Sequence, residues 1–192
     1  MDRGNKMFEY KIIKLGNPSL RQVSEPIHEN EFDSKELHDI VNKLFFAFKK
    51  EKAAGLAAPQ IGINKRIIVF GVEKHPIYTH VNPVPDTVLI NPTIEILTDE
   101  LEEAYEGCFS VGTLRGKVAR AKRIFYRGFD VHGNVIEREA EGLHARVVQH
   151  EYDHLDGIVF LDKVTDHLSL GFYDELIESG QLKLRRQPAN SE

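Results

Sequence analysis

The sequence predicts an α+β fold in which antiparallel β-sheets surround a central motif-bearing helix, with an amphipathic helix nearer the N-terminus. Three observations lead there. Apolar residues recur at helical spacing between Asp33 and Phe48, short β-like runs then occupy 66–129 with no crossover helices between them, and a second helical pattern follows near 142–156.

In the first helix, Asp33 is the N-cap candidate, with Glu36 three residues on, and Leu37, Ile40, Val41, Leu44, Phe45 and Phe48 form one apolar stripe. Such a stripe needs a core to cover it, so the segment reads as packing rather than chemistry. Beyond Gly62 the β-like runs are Arg66 to Val72, Thr87 to Ile90, Thr93 to Leu97 and Lys117 to Phe129, separated by Asn91-Pro92 and closed by the loop Val131 to Asn134. The second helix should run from about Gly142 to Asp156, with Gly157 placed to stop it. Leu143, Val147, Val148, Tyr152 and Leu155 make it apolar on more than one face, which predicts a buried position. A third helix is expected over Asp166 to Ser179 despite Gly171. No internal repeat or linker divides the chain, so 1–192 reads as one domain with loose ends at 1–6 and 187–192.

Composition narrows the function. A chain of 192 residues with 41% hydrophobic and 29% charged residues can bury a core and lacks the signature of disorder. The formal charge of −5 excludes a global basic field, so direct recognition of nucleic acid is not expected, and the short basic run Lys183 to Arg186 reads as a solvated end. No apolar run approaches the ~18 residues needed to span a membrane. Cys108 is the only cysteine, which rules out an internal disulfide and fits a reducing cytoplasm. Met1 to Leu15 contains Asp2 and Glu9 and no continuous apolar core, unlike a signal or transit peptide.

The sharpest chemical signal lies on the second helix, His150-Glu151-Tyr152-Asp153-His154. Residues four apart share a helix face, so two imidazoles can converge on one ion at ~2.0 to 2.1 Å. Glu151 lies ~100° around the helix, where it can take a proton from water beside the ion rather than ligate it. Two ligands are too few, because a catalytic centre ordinarily has three protein ligands and one open position. Alone, Cys108 would read as a small buried apolar residue; beside the histidine pair it becomes the candidate third ligand, in Glu106-Gly107-Cys108-Phe109-Ser110. The Gly55 to Gly62 stretch lacks the lysine of a phosphate loop. By itself it reads first as a tight turn, although its small residues would let a substrate backbone approach and Gln60 offers an amide donor for a developing oxyanion.

Together, Gly55-Leu-Ala-Ala-Pro-Gln60, Glu106-Gly-Cys-Phe-Ser110 and Gln149-His-Glu-Tyr-Asp-His-Leu-Asp-Gly157 resemble the three signature segments of the peptide deformylases, in the family's order, within a likeness running from about Tyr10 to about Leu161. The resemblance implies an α+β fold and removal of the N-formyl group from the initiator methionine of newly made proteins. It implies that Cys108, His150 and His154 hold one divalent metal ion, that Glu151 is the acid/base, and that Gln60 with the Phe109 backbone N–H forms the oxyanion hole. Gly55 would help to align the peptide. The resemblance further implies ferrous iron (Fe2+) as the physiological metal, with Zn2+, Ni2+ or Co2+ able to occupy the site, N-formyl-Met nascent peptides as partners, and a transient contact with the ribosome as a candidate interaction. Two departures, Ala53 and Gly112 where the family often has glycine and proline, bear on substrate preference rather than on chemistry.

A methionine pocket is expected near the metal, with Val147 and the alkyl stem of Arg146 as candidate walls, since both precede His150 by three or four residues. The competing enzyme reading is a zinc peptidase, which also uses the His-Glu-x-x-His pattern; no third ligand follows at the extended spacing. A non-catalytic metal-stabilised module is the other alternative, and it leaves Glu151 and Gln60 without a purpose.

Overall fold

The computed structural model describes residues 9–72 and 83–183. The expected loose ends, and the basic run from Leu184 on, lie outside the described residues.

The elements follow in the order α1 (Lys35–Lys50), β1 (Gly55–Ala57), β2 (Ile67–Val72), β3 (Val84–Ile96), β4 (Leu101–Gly107), β5 (Leu114–Ala121), β6 (Arg123–Phe129), β7 (Val135–Glu141), α2 (Gly142–Leu155), β8 (Gly171–Phe172) and α3 (Tyr173–Glu178). The strands make two antiparallel sheets, one of five strands in the order β1-β2-β3-β6-β7 and one of three in the order β4-β5-β8.

The five-stranded sheet is covered on both faces, which explains why β2 reads as a continuous apolar run. Ile67 and Val69 point into a cluster with Leu37, Val41, Leu44 and Phe48 of α1, while Ile68 and Phe70 point into another with Ala145, Val148 and Leu155 of α2. Alternation along a strand sends successive side chains to opposite faces, so each face receives its own helix. Leu44 and Val148 have no exposed surface, and each such side chain contributes ~1.5 to 3 kcal/mol of burial. A third cluster of Cys108, Val118, Phe160 and Val164 sits behind the smaller sheet.

Helix α2 runs as expected and stops at Gly157, whose φ of +71° suits glycine. Other expectations are corrected. The cap of α1 is Ser34, whose hydroxyl accepts from Leu37 N at 3.2 Å, while Asp33 adopts φ +59° and turns its carboxylate to two histidines. Asn91-Pro92 does not break the chain into two strands: β3 continues through it as a bulge, with Asn91 at φ +49° and its side-chain amide tied to Ile27 N and O. The run Lys117 to Phe129 is divided at Lys122 between β5 and β6, which belong to different sheets. In place of a helix over Asp166 to Ser179 there is a 3₁₀ turn at His167–Ser169, then β8 and the six-residue α3, because Gly171 and Phe172 are drawn into pairing with Arg115 and Leu114 of β5. The acidic strands β4 and β7 were not expected at all. No described helix is long and apolar enough to cross a membrane.

Candidate metal centre

Helix α2 carries His150 and His154 one turn apart, with ring centroids 5.2 Å from each other. Cys108 follows the last residue of β4, one position beyond the strand rather than within it, and this places its sulfur over the same helix face. Its Sγ lies 3.3 Å from His154 Nε2, and the donor atoms of Cys108, His150 and His154 all fall within 4.8 Å of one another. The smaller sheet thus supplies the thiol and the central helix the imidazoles.

The orientation of His150 is fixed by Glu106, whose Oε2 is 2.9 Å from Nδ1, and by Phe160, stacked at 6.3 Å with an interplanar angle of 20°. The other ring nitrogen is thereby left for the cluster. Glu106 is itself held by two bonds from Arg120 at 3.0 and 2.9 Å and one from Arg146 at 2.8 Å. Arg120 also pairs with Asp153 of α2. Burial would raise the Glu106 carboxyl, but His150 and Arg120 outweigh it and hold it far below the usual range. Burial likewise opposes ionisation of the Cys108 thiol, and the hydrogen bonds and charges of His150 and His154 reverse that, favouring the thiolate. A thiolate and two imidazoles, buried and already converging, fit a divalent ion of borderline softness.

Gln60 sits in the 3₁₀ turn Ala58–Ile61, which follows β1 where a tight turn alone was the simplest reading. Its Oε1 accepts from Ala57 N at 2.8 Å, so its amide nitrogen is aimed at Cys108 Sγ (3.3 Å) and Ser110 Oγ (3.4 Å). Glu151, 4% exposed, turns to the same space, and its Oε2 has no hydrogen-bond partner. Burial raises its carboxyl to about 7, although His150 and His154 pull the other way. Gly55 is necessary beside it, since a Cβ there would lie 2.6 Å from both Cγ and Oε1 of Glu151. Gly55 therefore accommodates Glu151 directly.

Residues 9–169 match the model of the polypeptide deformylase family. The chain belongs to that family. It is 46% identical over 165 residues to "Peptide deformylase 2" of Ralstonia nicotianae, covering 86% of this chain and 92% of that one. It is 43% identical over 167 residues to "Peptide deformylase 1" of Bordetella pertussis, covering 87% and 94%. Among solved structures, the Met-Ala-Ser-bound class I type b peptide deformylase of Acinetobacter baumannii superposes with a TM-score of 0.77 at 32% identity, covering 81% of this chain and 98% of that one. The Thermotoga maritima peptide deformylase superposes with a TM-score of 0.71 at 33% identity, covering 83% and 99%.

In this deformylase framework Gly55, Gln60, Cys108, Phe109, His150 and Glu151 line one cavity of about 160 Å³, with His154, 1% exposed, behind it. Phe109 stands at the mouth with 37% of its surface exposed and its carbonyl accepting from Lys14 Nζ at 2.7 Å. Val147 and Arg146 join the lining as expected, but the Arg146 guanidinium is turned to Glu106 and the Val118 carbonyl, so its stem faces the cavity. Tyr105, Leu143 and Ala54 complete the apolar wall without having been anticipated. Glu106 stands two residues before Cys108 in the same motif, but nothing in its spacing announces its contact with His150.

Proposed function

We propose that this hydrolase removes the formyl group from the N-terminal formyl-methionine of nascent peptides, using Cys108, His150 and His154 to hold one divalent ion. When bound, that ion supplies a positive charge that polarises the formyl oxygen and acidifies water. Glu151 accepts a proton from the attacking water and returns it to the departing amine nitrogen, for which its unpartnered Oε2 and its affinity for protons at neutral pH are suited. Gln60 Nε2, held by Ala57, and the Phe109 backbone N–H stabilise the oxyanion that forms at the formyl carbon. Val147 and Leu143 bound the space for the methionine side chain. Ferrous iron is the physiological ion in this reading, with zinc, nickel or cobalt as alternatives.

The carrying observation is the convergence of Gln60 and Glu151 on one small cavity against the buried thiol and imidazoles. The Met-Ala-Ser bound to the Acinetobacter relative supports a methionine-first peptide as ligand. A cytoplasmic setting keeps the single thiol reduced, and a transient ribosome contact belongs to the same reading. Kinetics on formyl-Met-Ala beside an unformylated Met-Ala peptide, with metal analysis of the same preparation, test it. Turnover confined to the formylated substrate and an activity that tracks one ion per chain at Cys108, His150 and His154 are expected; cleavage of the unformylated peptide would point instead to a zinc peptidase.

A further inference from the structure

A second group of ligand-type side chains lies on the opposite side of the five-stranded sheet from α2, where the chain enters α1 beside the β6–β7 turn. Asp33 Oδ1 is 2.8 Å from His38 Nε2 and 2.7 Å from His132 Nδ1, and the two rings approach edge to face at 5.4 Å. One donor atom from each residue lies within 4.8 Å of the others.

We propose that Asp33, His38 and His132 form a second cation site, which takes a divalent ion of borderline softness such as Zn2+ or Ni2+. Neutral imidazole and carboxylate are the ligands such ions prefer, and two histidines with one carboxylate leave positions for water. At present one carboxylate oxygen collects two ring nitrogens at hydrogen-bond distance. An ion at ~2.0 to 2.2 Å from each donor would replace the shared protons and needs only a small opening of the cluster.

The three residues are held independently of any ion. Asp33 is fixed by its N–H to the Val131 carbonyl at 2.8 Å, and its φ of +59° turns the side chain toward the turn. His132 is set by Asp130, whose Oδ1 accepts from the backbone of both His132 and Asn134 at 2.8 and 2.9 Å. His38 rides on the first turns of α1, its N–H bonded to the Ser34 carbonyl. All three side chains are open to solvent, at 64%, 37% and 56% exposure for Asp33, His38 and His132, so an ion can enter without unfolding and keep water ligands. Binding would cross-link the start of α1 to the β6–β7 turn. The site shares no residue with the Cys108 cluster, so the proposal stands apart from the catalytic reading.

The test uses the whole protein with its catalytic centre already saturated with zinc. Equilibrium dialysis against Zn2+ should show one added ion per chain in the wild type, weakened by ~100-fold or lost in both His38→Ala and His132→Ala. Formyl-Met-Ala turnover should stay at the wild-type rate in both variants, which reports on their folding and on the first site. Anomalous scattering at the zinc edge in wild-type crystals gives a reading independent of the variants and should peak between the three side chains. The proposal is overturned by no uptake beyond the catalytic ion at ~1 mM free zinc, by unchanged uptake in both variants, or by a second anomalous peak elsewhere.

Discussion

At the scale of single residues, the proposed function divides the labour of the cavity between Glu151 and Gln60. Replacing Glu151 with glutamine keeps the shape beside Gly55 and removes the proton acceptor, so the variant should retain its metal and lose ~10²- to 10⁴-fold in kcat. Metal content and single-turnover deformylation decide between this and a structural role. Because burial raises the Glu151 carboxyl to about 7 from an ordinary 4.5, it cannot accept a proton at low pH, and kcat/KM should fall as pH drops. A nearby cation draws protons off the carboxylate, so the acid limb should lie between those two values and vanish in Glu151→Gln. If its amide stabilises the oxyanion as proposed, Gln60→Ala should lower kcat by ~10²- to 10³-fold, with a smaller effect on metal content through the lost contact of its Nε2 with Cys108 Sγ. Gly55→Ala should be damaging for a different reason, because its methyl group would enter the space of the Glu151 carboxyl, and a normal melting temperature with reduced kcat is expected. The shared face of His150 and His154, with Glu151 beside them, was legible in sequence because i, i+4 spacing fixes their geometry, whereas Cys108 joined them only as the single thiol of a familiar motif. The holding of His150 by Glu106 was not legible, since no spacing relates residues 44 apart across two elements.

Among the elements, legibility followed the balance between local pattern and tertiary demand. Helices α1 and α2 were readable because an amphipathic or fully buried stripe has a period that nothing else shares. Strands β4 and β7 were invisible because glutamates interrupt the apolar pattern of Leu101-Glu-Glu-Ala-Tyr-Glu-Gly107, and Val135-Ile-Glu-Arg-Glu-Ala-Glu141 is mostly charged and exposed; pairing with β5 and β6, not propensity, makes them strands. The end of α2 offers a clean test. At Gly157 a left-handed φ coincides with a Cβ position only 2.6 Å from the Arg21 carbonyl oxygen, whereas Gly180, at φ +74°, has nothing within 4 Å. Gly180→Ala should therefore cost only the conformational strain, ~1 to 2 kcal/mol, and Gly157→Ala clearly more, because backbone must move. Chemical denaturation of both variants measures the difference, and equal losses would show that the Arg21 segment yields freely.

For the whole molecule, the buried charge of Glu106 is the joint between the smaller sheet and the central helix. It ties β4 to Arg120 on β5 and to Arg146 and His150 on α2, while Arg120 reaches on to Asp153. Glu106→Ala would leave the buried Arg146 with backbone carbonyls alone and the buried Arg120 with Asp153 alone, so a loss of up to ~3 to 5 kcal/mol at neutral pH is expected, with the metal weakened through His150. The pH dependence of stability in the metal-free protein separates this carboxylate from Glu151. Glu106 titrates below its unfolded value, so its contribution is present above about 4.5 and lost as pH falls from there; the Glu106→Ala deficit should shrink in acid. Glu151 titrates above its unfolded value, so the folded chain binds the extra proton, and its contribution is present below about 4.5 and lost as pH rises through about 7. Glu151→Gln, which stays neutral, should therefore gain on the wild type across that interval by a few kcal/mol. Urea melts of the metal-free wild type and both variants between pH 4 and 8 would read these opposite slopes, and parallel curves for Glu151→Gln and wild type would mean that its carboxyl is not raised by burial.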